Sequence, residues 1–177
     1  MSLTKINADV MDMGDAYAFT GAVSGAGKIL QVVNTQTGAV ATITTVLPYD
    51  DTIPQITEGG EVMTLAVTPA SATNKLLIQA TVFFTFSAGG GYQMSAAIFQ
   101  DSTAGALAVN SIVGDYSTHG KCITFSHYMT AGTTSATTFK VRVGPPSSGT
   151  LTFNGSGGAR KFGGVNASSI TITEISA

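Results

Sequence analysis

The chain is short of charge. Only 10% of its 177 residues are Asp, Glu, Lys or Arg, where typical domains carry ~25%. Its eight Lys and Arg are scattered, so there is no basic stripe to follow a phosphate backbone, and nucleic acid is not an expected partner. Acids are equally sparse. After Glu61 only Asp101, Asp115 and Glu174 remain, a poor supply for the paired carboxylates of glycoside cleavage. The single cysteine, Cys122, excludes an intrachain disulfide framework and a cysteine-rich zinc site. No basic n-region and apolar core open the chain, so no secretory signal is expected. The most apolar run, residues 76–86, is too short to span a bilayer, so membrane insertion is not expected.

What fills the gap is Gly, Ser and Thr, while 44% of residues are hydrophobic and the net charge is −2. Apolar periodicity is strong, which argues against disorder. A near-neutral surface leaves little charge to hold copies apart, so self-association is expected. The length suits one domain, or one domain with an arm.

Residues 1–28 read as that arm, and residues 29–177 as a head domain. Leu3, Ile6, Val10 and Met13 have the spacing of a short amphipathic helix or coiled coil. The pattern spans less than two heptads and is marginal alone. Tyr17 and Phe19 alternate with alanines, and a glycine-rich joint follows at 21–27. An arm of this kind needs a partner; the other reading is a first strand of the head itself.

From Ile29 onward the period is two. Strands are expected at 29–34, 39–46, 62–68, 76–86, 93–100, 106–113, 123–129, 138–143, 151–153 and 170–175. Leu76, Ile78, Ala80, Val82, Phe84 and Phe86 share one face of the clearest strand. Its other face is mixed and is expected to be covered as well. About ten short strands with turn chemistry between them, no helix after residue 28 and no internal repeat predict an all-β fold: an antiparallel β-sandwich, jelly-roll-like.

The chemistry-bearing motifs mostly fail on spacing. Gly21-Ala-Val-Ser-Gly-Ala-Gly27-Lys28-Ile29 has one residue too many for a phosphate-binding loop, and Ile29 stands where Mg²⁺ needs a hydroxyl. His119, Cys122 and His127 lack a fourth zinc ligand, and His127 shares the face of Ile123, Phe125 and Met129. Asp9, Asp12 and Asp15 lack the EF-hand order. Asp50-Asp51 is a better cation candidate, outweighed by a turn in which Asp bonds its own backbone. Asn154 and Asn166 begin glycosylation tripeptides of little weight. Neither a metal nor a cofactor is expected, and the chain is not expected to be an enzyme.

Recognition residues are easier to find. Tyr49, Tyr92 and Tyr116 fall in loops or at strand starts, where a tyrosine offers large area and one polar handle. Arg160-Lys161-Phe162 sits on a glycine-rich stretch, 155–164. The pair suits an anionic group with Phe162 on a sugar face; the blander reading solvates the cations and plugs Phe162 into the core. Ile170 and Ile172 are expected to close the sandwich. Glu174 has their parity, so a bulge or strand exit is expected near Thr173.

Four stretches carry a resemblance. They are Gly27-Lys-Ile-Leu-Gln-Val-Val-Asn34, Leu65-Ala-Val-Thr-Pro-Ala-Ser-Ala-Thr-Asn-Lys-Leu-Leu-Ile78, Ala97-Ile-Phe-Gln-Asp-Ser102 and Ser168-Ser-Ile-Thr-Ile-Thr-Glu-Ile175. They resemble the C-terminal β-rich modules of bacteriophage tail-fibre and other virion structural proteins. The resemblance covers most of 16–177 and carries no catalytic motif. It implies a homotrimer of β-sandwich heads that is made in the bacterial cytoplasm and carried on the virion. Other virion proteins would hold it by the arm, and it would attach to a host-surface glycan. Long tail fibres have large N-terminal shafts, whereas about 28 residues precede the head in this sequence, which also holds no His-x-His of the family's iron-binding kind. A capsid decoration protein and a polysaccharide-degrading enzyme are the rival readings.

Overall fold

The computed structural model describes residues 27–87, 91–114 and 119–177. The arm residues Leu3, Ile6, Val10, Met13, Tyr17 and Phe19 lie outside them, as does Tyr116. The head is an antiparallel β-sandwich. Its strands are β1 (Ile29–Thr37), β2 (Ala41–Ile43), β3 (Gly60–Val67), β4 (Lys75–Phe86), β5 (Tyr92–Gln100), β6 (Ala108–Gly114), β7 (Lys121–Thr130), β8 (Thr137–Gly144), β9 (Leu151–Phe153), β10 (Gly155–Ser156), β11 (Ala159–Arg160) and β12 (Ser168–Ile175).

The large sheet is built on β4. One of its edges holds β7 along most of its length; β12 and then β9 take places along β4 as well. Beyond them β1 pairs with β12, and β2 with β9. The small sheet runs β3-β8-β5-β6. The chain crosses repeatedly between layers, a jelly-roll habit. Leu76, Ile78, Ala80, Val82, Phe84 and Phe86 all face the core, as their period predicts. From the other side Met94, Ile98, Phe139, Val141 and Val143 meet them in one cluster.

The outer face of β4 is covered only toward its end, where Phe83 is half-buried and Thr85 buried, and a second covered outer face lies on β5. On β4, Gln79 is exposed and Leu77 and Thr81 are half-buried. On β5, Ser95, Ala97 and Phe99 are buried although they point away from the core. The long loop 44–59 lies over them, with Leu47 and Ile56 packed against Ala97 and Phe99.

The end of the chain also differs from expectation. β12 stays in register with β4 through Glu174 and Ile175, without a bulge. The irregularity lies in the partner strand, between Ile29 and Gln31 of β1. Glu174 therefore keeps core parity and is fully buried. A buried carboxylate persists only with donors around it. Here they are Asn74 Nδ2 and Gln31 Nε2, each at 2.5 Å, and the Ala70 N–H at 2.8 Å.

A second buried polar knot sits where β9 ends. Asn154 is fully buried and in the left-handed region, φ 53°. Its Nδ2 donates to the carbonyls of Thr37 and Ala39, and its Oδ1 accepts the Ser168 hydroxyl at 2.6 Å. Ser168 Oγ in turn accepts the Phe83 N–H. The Asn154 side chain is thus spent inside the fold rather than offered as a glycosylation acceptor. We expect Asn154→Ala to lose about 2–3 kcal/mol, since the Thr37 and Ala39 carbonyls and the buried Ser168 hydroxyl lose their partner. Urea unfolding checks it; an unchanged midpoint would show that the knot contributes nothing.

Candidate functional site

The glycine-rich stretch 155–164 is a hairpin rather than an open loop. β10 pairs with β11 across Gly157 and Gly158, at φ 60° and 76°. Two consecutive positive φ values define the tight hairpin turn that fits strand twist, and glycine takes them freely. A single 3₁₀ turn, Phe162–Gly164, follows and packs on Gly38, where an added Cβ would meet the Gly164 carbonyl oxygen. Arg160 and Lys161 are exposed, as expected. Phe162 does not plug the core: it is 77% exposed, with Val165 beside it in sequence at 85%. The turn holds the Phe162 backbone at φ 50° and keeps the ring outside.

A concave surface forms elsewhere, where loop 44–59 crosses the small sheet. The loop is fastened at several points. The Leu47 N–H donates to the Pro145 carbonyl and the Gly59 N–H to that of Val46. The Ile56 N–H reaches Ala104 O, and the Ala106 N–H reaches Pro54 O. The Arg142 guanidinium donates to the carbonyls of Glu58 and Gly59. Between these fastenings 48–54 arches over β5 and β6. Asp50 shapes the arch: its Oδ1 accepts the Thr52 N–H at 2.9 Å and the Thr52 hydroxyl at 2.6 Å. That is the local turn the sequence suggested for Asp50-Asp51.

Two adjoining pockets lie under the arch, of about 290 and 190 Å³. They share Asp50, Thr52, Pro54 and Val109. Tyr49, 64% exposed, lines the smaller one with Ser95, Asn110 and Ser111 on its floor. Asp51, Ile53 and Leu107 line the larger. The smaller pocket is lined by a carboxylate, hydroxyls, an amide and one aromatic ring, the larger by two carboxylates, a hydroxyl and apolar side chains, and neither by Lys or Arg. Such a lining offers acceptors to a polyhydroxylated ligand and a flat face for its ring.

Of the two described tyrosines singled out in the sequence, Tyr49 reaches this groove and Tyr92 does not. Tyr92 stands at the end of the core and is half-exposed. Its ring meets Phe86 edge to face at 5.6 Å. Arg160 and Lys161 belong to the β2–β9 side of the large sheet, so the structure does not join them to Tyr49. The sequence reading missed Ser95, Asn110 and Ser111. Their only local signal is that they punctuate β5 and β6 with polar groups. His127 faces inward on β7, half-buried. Among the described residues no group of three or more His, Cys, Asp or Glu could hold a metal, and no helix is long and apolar enough to cross a membrane.

No protein-family profile matches the chain, and no curated protein matches it in sequence. Solved structures resemble it distantly. Eiger TNF from S. frugiperda aligns at 10% identity and TM-score 0.44, over 81% of this chain and 92% of its own. The C-terminal domain of EclA, a sugar-binding protein, aligns at 15% identity and TM-score 0.35, over 83% and 88%. An infectious bursal disease virus structure aligns at 12% identity and TM-score 0.39, over 93% of this chain and 43% of its own. β-Rich viral and sugar-binding proteins are thus among the chain's distant likenesses. Likenesses this remote concern the β-rich architecture and not the activity.

Proposed function

We propose that the chain is a bacteriophage virion protein, a trimeric tail-fibre head that attaches to a host-surface glycan. The groove under 48–54 carries the reading. It sets an exposed tyrosine and carboxylates, on a loop pinned at both ends, over the hydroxyl and amide groups of β5 and β6. A pinned loop loses little entropy when a ligand seats, which suits a binding surface. The ligand class follows from the lining. An acidic sugar would meet Asp50 and Asp51 with no cation among the lining residues, so the groove suits a neutral glycan. The resemblance to tail-fibre modules and the low charge of the head support the same reading.

Glycan-array binding by the full-length protein tests it. The expected result is capture of neutral oligosaccharides without release of reducing ends. Tyr49→Ala is expected to weaken that binding tenfold or more, at about 1–3 kcal/mol for a lost ring contact. Its melting temperature should stay put, because the ring is largely exposed. Equal binding by Tyr49→Ala would remove the groove from the mechanism.

The arm would anchor the head to other virion proteins. The Ser176 N–H donates to the Lys28 carbonyl, so Lys28 belongs to the fold. A truncation that removes 1–26 is therefore expected to melt like the full chain and to be missing from virions. Labelled virions examined by electron microscopy check both incorporation and location. Label on the shell, with no glycan bound, would replace the fibre with a capsid decoration protein.

A further inference from the structure

The two pockets of the groove differ in lining, although they share Asp50, Thr52, Pro54 and Val109. Each is smaller than the ~300 Å³ at which pockets for drug-sized ligands begin. The smaller one joins the Tyr49 ring to hydroxyl and amide groups. There Asn110 Oδ1 accepts the Ser111 N–H at 2.8 Å, which fixes the amide and leaves Nδ2 as the donor it offers. The larger pocket has no aromatic ring. Its own features are the Asp51 carboxylate and the side chain of Ile53, which is 65% exposed. Val109, 49% exposed, lines both pockets. Ile53 is held rather than loose. A Cβ added at Gly105 would come within 3.2 Å of Ile53 Cγ2, so the side chain lies on the Gly105 backbone. Gln55 bridges to Gly105, its Nε2 donates to the Ile53 carbonyl at 2.6 Å, and the Ala106 N–H donates to the Pro54 carbonyl at 2.9 Å.

We propose that the groove takes two consecutive sugar residues, and that the one in the larger pocket carries a methyl group, in an acetamido or a 6-deoxy substituent. The inference rests on the glycan reading of the groove and adds which glycan. Two small adjoining pockets suit one sugar residue each. In the smaller, Tyr49 offers its ring to a sugar face, and the polar floor pairs with hydroxyls. In the larger, the Asp50 and Asp51 carboxylates can only accept, and the hydroxyl or amide N–H groups of a sugar supply the donors. A purely apolar ligand would strip water from these carboxylates and give no donor in return. A fully hydroxylated sugar would press polar groups onto Ile53 and Val109. A methyl flanked by donors suits both halves of the pocket. It covers apolar surface that water otherwise wets, and its polar neighbours meet the carboxylates. Because the fold already holds Ile53 in place, little side-chain freedom is lost when the methyl seats.

Binding of the full-length protein to an array of neutral glycans tests it, read in pairs that differ at one substituent. One kind of pair sets acetamido against hydroxyl, the other methyl against hydroxymethyl, so the two distinguish an acetamido sugar from a deoxy sugar. In one kind the methyl-bearing member is expected to bind about tenfold more tightly, the effect of one small apolar group in an apolar site. Disaccharides are expected to bind more tightly than their monosaccharides. Ile53→Ser is expected to remove most of the preference for the methyl. If Ile53→Ser lowers the melting temperature, Val109→Ser makes the same test from β6. Equal binding within both kinds of pair overturns the methyl pocket, and so does a preference that survives both substitutions. A monosaccharide bound as tightly as any disaccharide overturns the two-residue groove. Either result leaves the glycan reading standing if Tyr49→Ala still weakens binding. An array that captures nothing refutes that reading, and this inference with it.

Discussion

Ile172→Asp is expected to yield no folded head. Ile172 is fully buried at the middle of β12, between Val33 on β1 and Ile78 on β4. A carboxylate there has apolar neighbours on both flanking strands and no cation to pair with. Burying such a charge costs about 5 kcal/mol or more, whether it stays ionised or takes up a proton. Domains of this kind have only about 5–15 kcal/mol in hand. Ile172→Val, which removes one methyl, should cost about 0.5–1.5 kcal/mol and serves as the control. Solubility and far-UV circular dichroism distinguish the two. A soluble Ile172→Asp with a wild-type melt would contradict the pairing of β12 between β1 and β4.

Glu174→Ala is expected to be the next most damaging change, at about 3–5 kcal/mol. The carboxylate ties β12 to Gln31 on β1 and to the turn before β4, at the Ala70 N–H and the Asn74 amide. Removing it leaves their donors facing a void. The same group gives the head an acid limb. Burial alone pushes the Glu174 carboxyl up, but the donors from Asn74, Gln31, Ala70 and Ser71 more than offset this and hold it below its ordinary value. The unfolded chain titrates at about 4.3. As pH falls below that, the unfolded state takes up the proton first. Stability present at neutral pH is then lost as pH passes through the folded-state value. Urea midpoints measured from pH 7 to pH 3 should therefore fall more steeply for wild type than for Glu174→Gln. Parallel curves would show that another acid governs the limb.

The strands were readable because a half-buried strand writes its period into the chain. Residues 76–86 and 138–143 alternate cleanly, and both are strands of the sandwich. Phe162 was readable only in part. Its type favours burial, yet the glycines around it form a hairpin and a turn that carry it outward. Glu174 misled for a related reason. A charge at core parity suggests a bulge, and nothing local shows that Asn74, 100 residues away, will supply a donor. The groove was legible by one residue, Tyr49. Its floor comes from β5 and β6, whose serines and asparagine look like ordinary strand polar positions until a loop is folded over them.

The class of fold, the core face of β4 and the scarcity of charge were legible before any folding, because each is a property of local pattern or composition. Tertiary structure decided which outer face is covered and which stays open, where Glu174 finds its donors, and that Tyr49 stands apart from Arg160 and Lys161. The physical reason is distance along the chain. Periodicity fixes which side of a strand is apolar, but only the packing of remote segments fixes what that side, or its reverse, will meet.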